Sequence, residues 1–418
     1  MPTSKTHPPP VSAPARFSDR TSTNTLIVGA GPAGIAAAIT LHRAGKDVTV
    51  IDKAHFPRDK CCGDGLTTGA LRLLDDLGLD PATVPSWKAV SRVQIAGPKG
   101  DPIAFDLPHG AGTFAAIARR SELDHALVRH ALSLGITVHE GVKLENLSAG
   151  PTTINAHTTA GVVEAEHLIA ADGMWSPTRK LLGLTVEGYR GEWHAFRQYF
   201  SNVTPAAGNE LFVWFEEDLL PGYVWAFPLA DGSANVGFGI QRGRGIAIQE
   251  MKALWTDLLE RPRIRSVLGQ DAIAEGRHQA WPIPARLGDL QPHHGRTLFV
   301  GDAAAATDPM TGEGIGQALA TGIWAAEAIV SHRDPEAIAA AYEARLRVGM
   351  KRDHQLAQAL SNVLARPRLA QVSVQVASAS AWTRRNFVRW LFEDYPRAVV
   401  ITPRRWHRRL FSQPGAYR

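Results

Sequence analysis

The two cysteines of this 418-residue chain are neighbours, Cys61 and Cys62, in the run Pro57-Arg-Asp-Lys-Cys-Cys-Gly-Asp-Gly-Leu66. A thiol in a glycine-rich loop just ahead of a helix expected to start near Thr67 or Thr68 lies where helix-end N–H groups lower its pKa, and Arg58 and Lys60 push the same way. Such a thiol could act as an acid or a nucleophile, and Cys62 is the candidate. The alternative, a small buried residue fitted beside glycines, stays open for Cys62 and is preferred for Cys61. Adjacent Cα atoms lie about 3.8 Å apart, closer than a relaxed disulfide prefers. Both cysteines are therefore expected as free thiols in a reducing compartment. So few cysteines also exclude a disulfide scaffold and a four-cysteine zinc site, and no metal site is expected.

A second group with chemical potential is Tyr223, Trp225 and Phe227, which alternate along Tyr223-Val-Trp-Ala-Phe-Pro228. As a strand this run points all three rings to one face. That face is either core or the wall of a cavity for a hydrophobic ligand. Its place after Pro221-Gly222, with a Phe-Pro end and nucleotide-binding segments on either side, favours the wall.

The elements that would position these groups begin with the apolar strand Thr25-Leu-Ile-Val28, which runs into Gly29-Ala-Gly-Pro-Ala-Gly34 and the helical stretch from Ile35 to Ala44. In a strand, turn and helix of this kind the first glycine permits the tight turn. The second lets backbone N–H groups approach a pyrophosphate, and the third lets the helix pack on the strand. The next strand, Val48-Thr-Val-Ile51, ends in Asp52, 18 residues after Gly34. A carboxylate there can accept hydrogen bonds from ribose hydroxyls, and it disfavours a 2′-phosphate. An ordinary βα turn with an incidental acid is the other reading.

Two later segments repeat the pattern of an acid at a strand tip. Leu168-Ile-Ala-Ala-Asp172-Gly173 is followed by Ser176, Pro177 and Arg179. Thr297-Leu-Phe-Val-Gly301-Asp302 continues into Pro309-Met-Thr-Gly312-Glu313-Gly314-Ile315. Such an acid can hold a ribityl hydroxyl, and N–H groups opening the next helix can face a flavin edge that becomes negative on reduction.

In this order and at these separations the three segments resemble the FAD-binding fingerprints of p-hydroxybenzoate hydroxylase-like flavoproteins, over roughly residues 25 to 330. The resemblance implies an α/β fold: a Rossmann-type FAD-binding domain, an antiparallel-sheet substrate domain and a C-terminal helical segment. It implies FAD contacts at Gly29, Gly31, Ala33, Gly34, Asp52, Lys53, Arg120, Asp172, Gly301, Asp302, Gly312, Gly314 and Ile315. Arg120 opens Arg-Ser-Glu-Leu-Asp124, which looks like that family's Arg-x-x-Phe/Leu-Asp helix start; a solvated arginine is the alternative.

Within the superfamily, the run from Pro57 to Leu66 looks like the Pro-Arg-x-Lys-x-Cys-Gly-x-Gly loop of the geranylgeranyl reductase family. Tyr223 to Pro228 looks like its Tyr-x-Trp-x-Phe-Pro strand, with Val236-Gly-Phe-Gly239 on the strand after it. This resemblance implies catalytic roles for Cys62, Tyr223 and Trp225, and a substrate cavity at Gly63, Gly65, Tyr223, Trp225, Phe227 and Pro228. It implies an FAD-dependent oxidoreductase that passes hydride from reduced flavin to an isolated C=C of a prenyl chain (a geranylgeranyl group, a polyprenyl or a menaquinone side chain). An acid protonates the other carbon. Cys62 and Tyr223 are the candidate donors by position, with Asp302 and Glu313 as alternatives if the helix end leaves them facing the flavin. A flavin monooxygenase or halogenase acting on an aromatic or carrier-bound substrate is the second reading. Halogenases have a Trp-x-Trp-x-Ile-Pro strand, from which this chain departs at Tyr223 and Phe227, and aromatic hydroxylases usually lack the Cys-Gly-x-Gly loop. A non-catalytic flavin protein fits least. No second glycine fingerprint follows a strand, so NAD(P)H or another electron donor is expected to bind transiently.

A hydrophobic content of 44% with net charge +5 excludes a disordered chain. Residues 1 to 22, rich in Pro, Ser and Thr, read as a disordered leader, and no apolar run is long and unbroken enough to span a membrane. The FAD-binding domain is expected in three pieces, 23–87, 113–187 and 285–333, with 88–112 and 188–284 forming the sheet domain and 334–418 a helical region. Nine arginines lie between Arg384 and Arg418 against two acids, Glu393 and Asp394, interleaved with Phe387, Trp390, Phe392, Tyr395, Trp406 and Phe411. That tail suits an anionic membrane surface. It could instead bind nucleic acid or cap the domain with its aromatics packed inward. The expected partners are a hydrophobic isoprenoid and a membrane surface, not nucleic acid. The protein is expected in the cytoplasm, peripheral on the inner face of the cell membrane, as a monomer or weak homodimer.

Overall fold

The strand Thr21–Val28 is central to the first sheet of the computed structural model, which describes residues 17, 21–108, 112–150 and 152–401. It runs parallel to Val48–Asp52 on one side and to Gly161–Ala170 on the other. Thr137–Glu140 and Thr297–Phe299 extend the sheet, again in parallel. Helices cover such a sheet, which is why Leu26, Ile27, Val50 and Ile51 form unbroken apolar runs with no exposure. The helix Pro32–Arg43 packs on Ile315–Ser331 through small residues. A Cβ on Gly322 would come 2.1 Å from Ala33 O, so the two backbones meet closer than side chains would permit.

The second sheet has seven strands in the order Ile273–Ile283, Trp193–Ser201, Ala234–Gln241, Tyr223–Pro228, Leu211–Trp214, Arg92–Ala96 and Ile103–Asp106. It is antiparallel except where Leu211–Trp214 lies beside Arg92–Ala96. One face is closed by the helices Met251–Glu260 and Pro262–Leu268, whose Trp255, Leu258 and Ile264 pack on Phe196 and Phe238. The alternating pattern of 188–284 gave no sign of these helices. The other face carries Tyr223, Trp225 and Phe227 towards the first sheet. A small third sheet, Gly65–Leu66, Ala115–Ile117 and Lys88–Val90, joins the cysteine loop to this frame.

The expectation about the N-terminal end is corrected, and of the three readings of the C-terminal tail the structure shows the cap as far as residue 401. The first strand begins at Thr21, inside the span read as a leader, and pairs there with Val163 and Glu164. Phe17 N–H also donates to Ala160 O at 2.9 Å. Residues 1–16 and 18–20 lie outside the described residues. At the other end two of the arginines that read as a basic surface turn inward: Arg389, in the helix Ala381–Leu391, and Arg397 after it. Arg389 pairs with Asp394 at 2.8 Å, and Arg397 pairs with Asp308 and lies 3.5 Å from Glu393. Phe392 and Tyr395 are buried with them, so up to residue 401 the segment is a cap packed on the domain. The remaining arginines from Arg404 onward, with Trp406 and Phe411, lie outside the described residues. Among the described residues no helix is long and apolar enough to cross a membrane.

Candidate active site

The two large sheets enclose a cavity of about 710 Å³. Gly29, Gly31, Ala33, Asp52, Lys53, Arg120, Asp172, Gly301, Asp302, Gly312, Gly314 and Ile315 line it on the nucleotide side. Cys62, Gly63, Gly65, Tyr223, Trp225 and Phe227 line it on the other. Gly34 stands behind the wall, where a Cβ would come 1.8 Å from Gly29 O; it serves the contact between helix and strand. Pro228 does not belong to the wall, which corrects its place among the cavity residues: it follows Phe227 on the strand, and side chains alternate between faces.

The nucleotide side fits a flavin dinucleotide. Gly29 has φ +109°, and a Cβ there would lie 2.3 Å from Ala171 O, so the turn admits no side chain. Asp52 is held at its strand tip by Ala30 N–H and Ala54 N–H, each 2.8 Å away. Asp172 accepts from Thr178 N–H through Oδ2 at 2.8 Å, while Oδ1 is buried without a hydrogen-bond partner among the described residues. A buried acceptor left in that state is costly, and a ligand hydroxyl would satisfy it. The helix Ile315–Ser331 brings its first turn to the cavity, with the N–H groups that no helix satisfies internally.

The facing side is organised by Asp64, which the sequence reading quoted but assigned no role. Its backbone takes φ +67° and its side chain is fully buried. Oδ2 accepts from Tyr199 OH at 2.7 Å and from Asn235 Nδ2 at 2.8 Å, and Oδ1 accepts from Arg120 N–H at 3.2 Å. Burial pushes Asp64 up to about 6 against the pull of Arg197 and these donors. The available signal was an acid between Gly63 and Gly65, a position with no ordinary use for a charge. Arg120 is buried rather than solvated. It grips Asp124 with two bonds of 2.8 Å, and Arg58 adds a third cation contact to that carboxylate at 3.0 Å.

The low-pKa thiol expected at Cys62 is also corrected. Burial raises it, with Arg120 opposing, and burial pushes Cys61 up to about 12. The neighbouring cations are engaged elsewhere: Arg58 with Asp124, and Lys60 with Asp302 at 2.7 Å. Burial works against the Asp302 carboxylate, but Lys60 and Arg120 outweigh it and hold it below its ordinary range. Tyr223 OH donates to Thr311 O. Glu313 lines the cavity, and its carboxyl has no hydrogen-bond partner among the described residues. Burial, and then the charge of Glu393, push Glu313 up to about 8. Glu393 is fixed by Thr67 Oγ1 at 3.0 Å and Gln317 Nε2 at 2.9 Å.

A family profile described as FAD binding domain matches residues 22–351. Among curated proteins, the menaquinone reductase of Mycolicibacterium smegmatis is 31% identical over 398 residues, covering 86% of this chain and 89% of the relative. The digeranylgeranylglycerophospholipid reductase of Methanosphaerula palustris is 27% identical over 320 residues, covering 74% and 77%. A solved geranylgeranyl bacteriochlorophyll reductase-like protein from Thermoplasma acidophilum matches with TM-score 0.76 at 21% identity, over 92% of this chain and 98% of its own. Solved flavin monooxygenases and halogenases share the fold too, so the fold alone does not select a reaction. The chain belongs to the FAD-binding flavoprotein family, in its geranylgeranyl reductase branch, and is an FAD-dependent oxidoreductase.

Proposed function

We propose that this protein reduces isolated C=C bonds in the isoprenoid chain of a lipid or quinone at the cytoplasmic surface of a membrane. One observation carries the reading: a cavity with the nucleotide-binding strand tips on one side and the rings of Tyr223, Trp225 and Phe227 on the other, with the carboxyl of Glu313 in its lining. A Cβ on Gly63 would lie 3.5 Å from the Phe227 ring, and one on Gly65 would lie 3.4 Å from both that ring and Glu313 Oε1. Glycine at both positions lets the cysteine loop pack directly against the Phe227 ring, so loop and rings form one continuous wall of the cavity. The names of the two curated relatives, a quinone reductase and a reductase of a geranylgeranyl lipid, support this substrate class.

When bound, reduced FAD supplies the hydride. Gly29, Gly31, Asp52, Arg120, Asp172 and the helix start at Gly314 and Ile315 would hold it. Trp225 and Phe227 seat the chain and exclude water. The proton is assigned to Glu313. Tyr223 commits its hydroxyl proton to Thr311 O, Asp302 is kept ionised by Lys60, and Cys62 is backed into its loop, where Asp64 N–H donates to its Sγ at 3.3 Å. Glu313, raised to about 8, is protonated near neutral pH, and its carboxyl has no hydrogen-bond partner among the described residues. An alkene is barely basic, so this acid must act as the hydride arrives, in a site closed to water.

The test is anaerobic incubation of dithionite-reduced protein with geranylgeranyl diphosphate or a menaquinone. Flavin reoxidation with a product heavier by one H2 per bond reduced is the expected result. Turnover that requires oxygen and inserts an oxygen atom or a halogen would overturn the reading in favour of the monooxygenase or halogenase.

A further inference from the structure

The helix Pro367–Ser378 is apolar on two opposite faces. Ala370, Val374 and Ala377 are buried on the inner side, where Val374 and Ala377 pack in one cluster with Trp225, Phe227 and Phe392. On the outer side Leu369, Val372 and Val376 are 36%, 49% and 60% exposed, and spacings of three and four place them in one stripe. Trp382, at the start of the next helix, is 58% exposed. No charged residue occurs from Leu369 to Thr383, and no acidic one from His354 to Phe392. A surface helix normally carries charges on its outer face, whereas this one has only the uncharged Gln371, Ser373, Gln375 and Ser378 between its two apolar stripes.

Arginines stand at both ends of the stripe. Arg366 and Arg368 are exposed at the N-terminal end. Arg384, also exposed, donates from Nε to Ser378 O at 2.9 Å and so stands at the C-terminal end. We propose that this face docks on an anionic lipid bilayer, with the apolar stripe in the interface and the arginines at the headgroups. The charge pattern selects the occupant. Residues 402–418 carry five arginines and no acid, so like charge opposes their folding over this face. The same repulsion opposes a second copy of the face. Because the inner side of the helix shares a cluster with Trp225 and Phe227, docking leaves the cavity wall about one helix diameter, roughly 10 Å, from the lipid. That link to an isoprenoid substrate rests on the reductase reading; the docking itself does not.

Flotation of the full-length holoprotein with phosphatidylcholine vesicles, with and without about 30% phosphatidylglycerol, tests the proposal. Wild type is expected to bind the anionic vesicles at least about tenfold more tightly, and less so at high salt. Val372→Glu with Val376→Glu should weaken that binding at least about tenfold. Arg366→Gln with Arg368→Gln should weaken it roughly fivefold per arginine and flatten its salt dependence. Flavin absorbance and turnover of a short, water-soluble prenyl substrate should be unchanged in both variants, which separates failure of docking from failure of the reductase reading. Three results would overturn the proposal: no anionic vesicle binding by wild type; binding that survives the two glutamates but disappears when 402–418 are deleted; or a lipid-free dimer that the glutamates dissociate.

Discussion

Asn235 Nδ2 lies 2.8 Å from Asp64 Oδ2, and the same amide donates to Cys62 O at 2.9 Å while its Oδ1 accepts from Trp225 Nε1 at 3.0 Å. One side chain thus locks the cysteine loop to the aromatic strand. Asn235→Ala would leave the Asp64 carboxyl short of a donor and the Trp225 indole without an acceptor. The indole loses its partner, at about 1–3 kcal/mol, while Asp64 keeps Tyr199 OH and Arg120 N–H, so a loss of about 1–3 kcal/mol is expected in chemical denaturation. The KM for the isoprenoid should rise, with FAD affinity changed little.

Asp64 also sets a pH dependence. A carboxyl raised from 3.8 to about 6 on folding adds stability that is complete below 3.8 and is lost as pH rises through about 6. Asp64→Asn should remove that slope between those pH values, as read from midpoints across a pH series. An unchanged slope would show that Asp64 ionises normally.

Glu313 should govern the alkaline side of the rate profile. Raised to about 8, it is protonated in neutral solution, so kcat is expected to be level below that value and to fall as pH rises through it. Glu313→Gln should lower kcat by about 10²–10⁴ and abolish that limb, while FAD titration stays near wild type. A limb that persists in the variant would move the proton to another group.

The strand-tip residues were legible because their chemistry is local: Gly29, Asp52, Asp172 and Asp302 each sit where a parallel strand ends, and such ends converge on one crevice. Asp64 was not, since Tyr199 and Asn235 lie 135 and 171 residues away. The same distance problem misled the reading of the thiol. Lys60 looked available to Cys62 because its actual partner, Asp302, is 242 residues on. Arg397 looked solvated because Asp308 comes from another domain piece. The helices Met251–Glu260 and Pro262–Leu268 escaped notice among short strands whose turn residues dominate the local pattern.

Gly237 is the support on which Trp225 rests. A Cβ there would come 2.3 Å from Trp225 Cζ2 and 2.4 Å from Phe196 O, and a strand inside a sheet cannot retreat far. Gly237→Ala should therefore push the indole towards Gly63 and the cavity, at about 1–3 kcal/mol of stability. The KM for a long isoprenoid should rise more than that for a short one. Gly239→Ala is the control for stability alone: this glycine also lines the cavity, but its Cβ would meet nothing nearer than His194 O at 4.0 Å.

Arg397 joins the C-terminal cap to the site. It is enclosed and ion-paired with Asp308. Asp308 in turn holds Met310 N–H and Thr311 N–H at 3.0 and 2.8 Å, and Thr311 O receives the Tyr223 hydroxyl. Arg397→Met leaves Asp308 as an uncompensated buried charge, for which a loss of about 3–5 kcal/mol is expected. The Arg397 cation also holds Glu313 down, so its removal should move the alkaline limb of kcat to higher pH. Adding Asp308→Asn removes the stranded charge and should restore most of the stability. It should also bring the limb part of the way back, because the Asp308 charge raises Glu313. Denaturation midpoints and kcat profiles of the two variants check both effects. If stability returns in the double variant while the limb has not moved in either, Arg397 anchors the cap without tuning the acid.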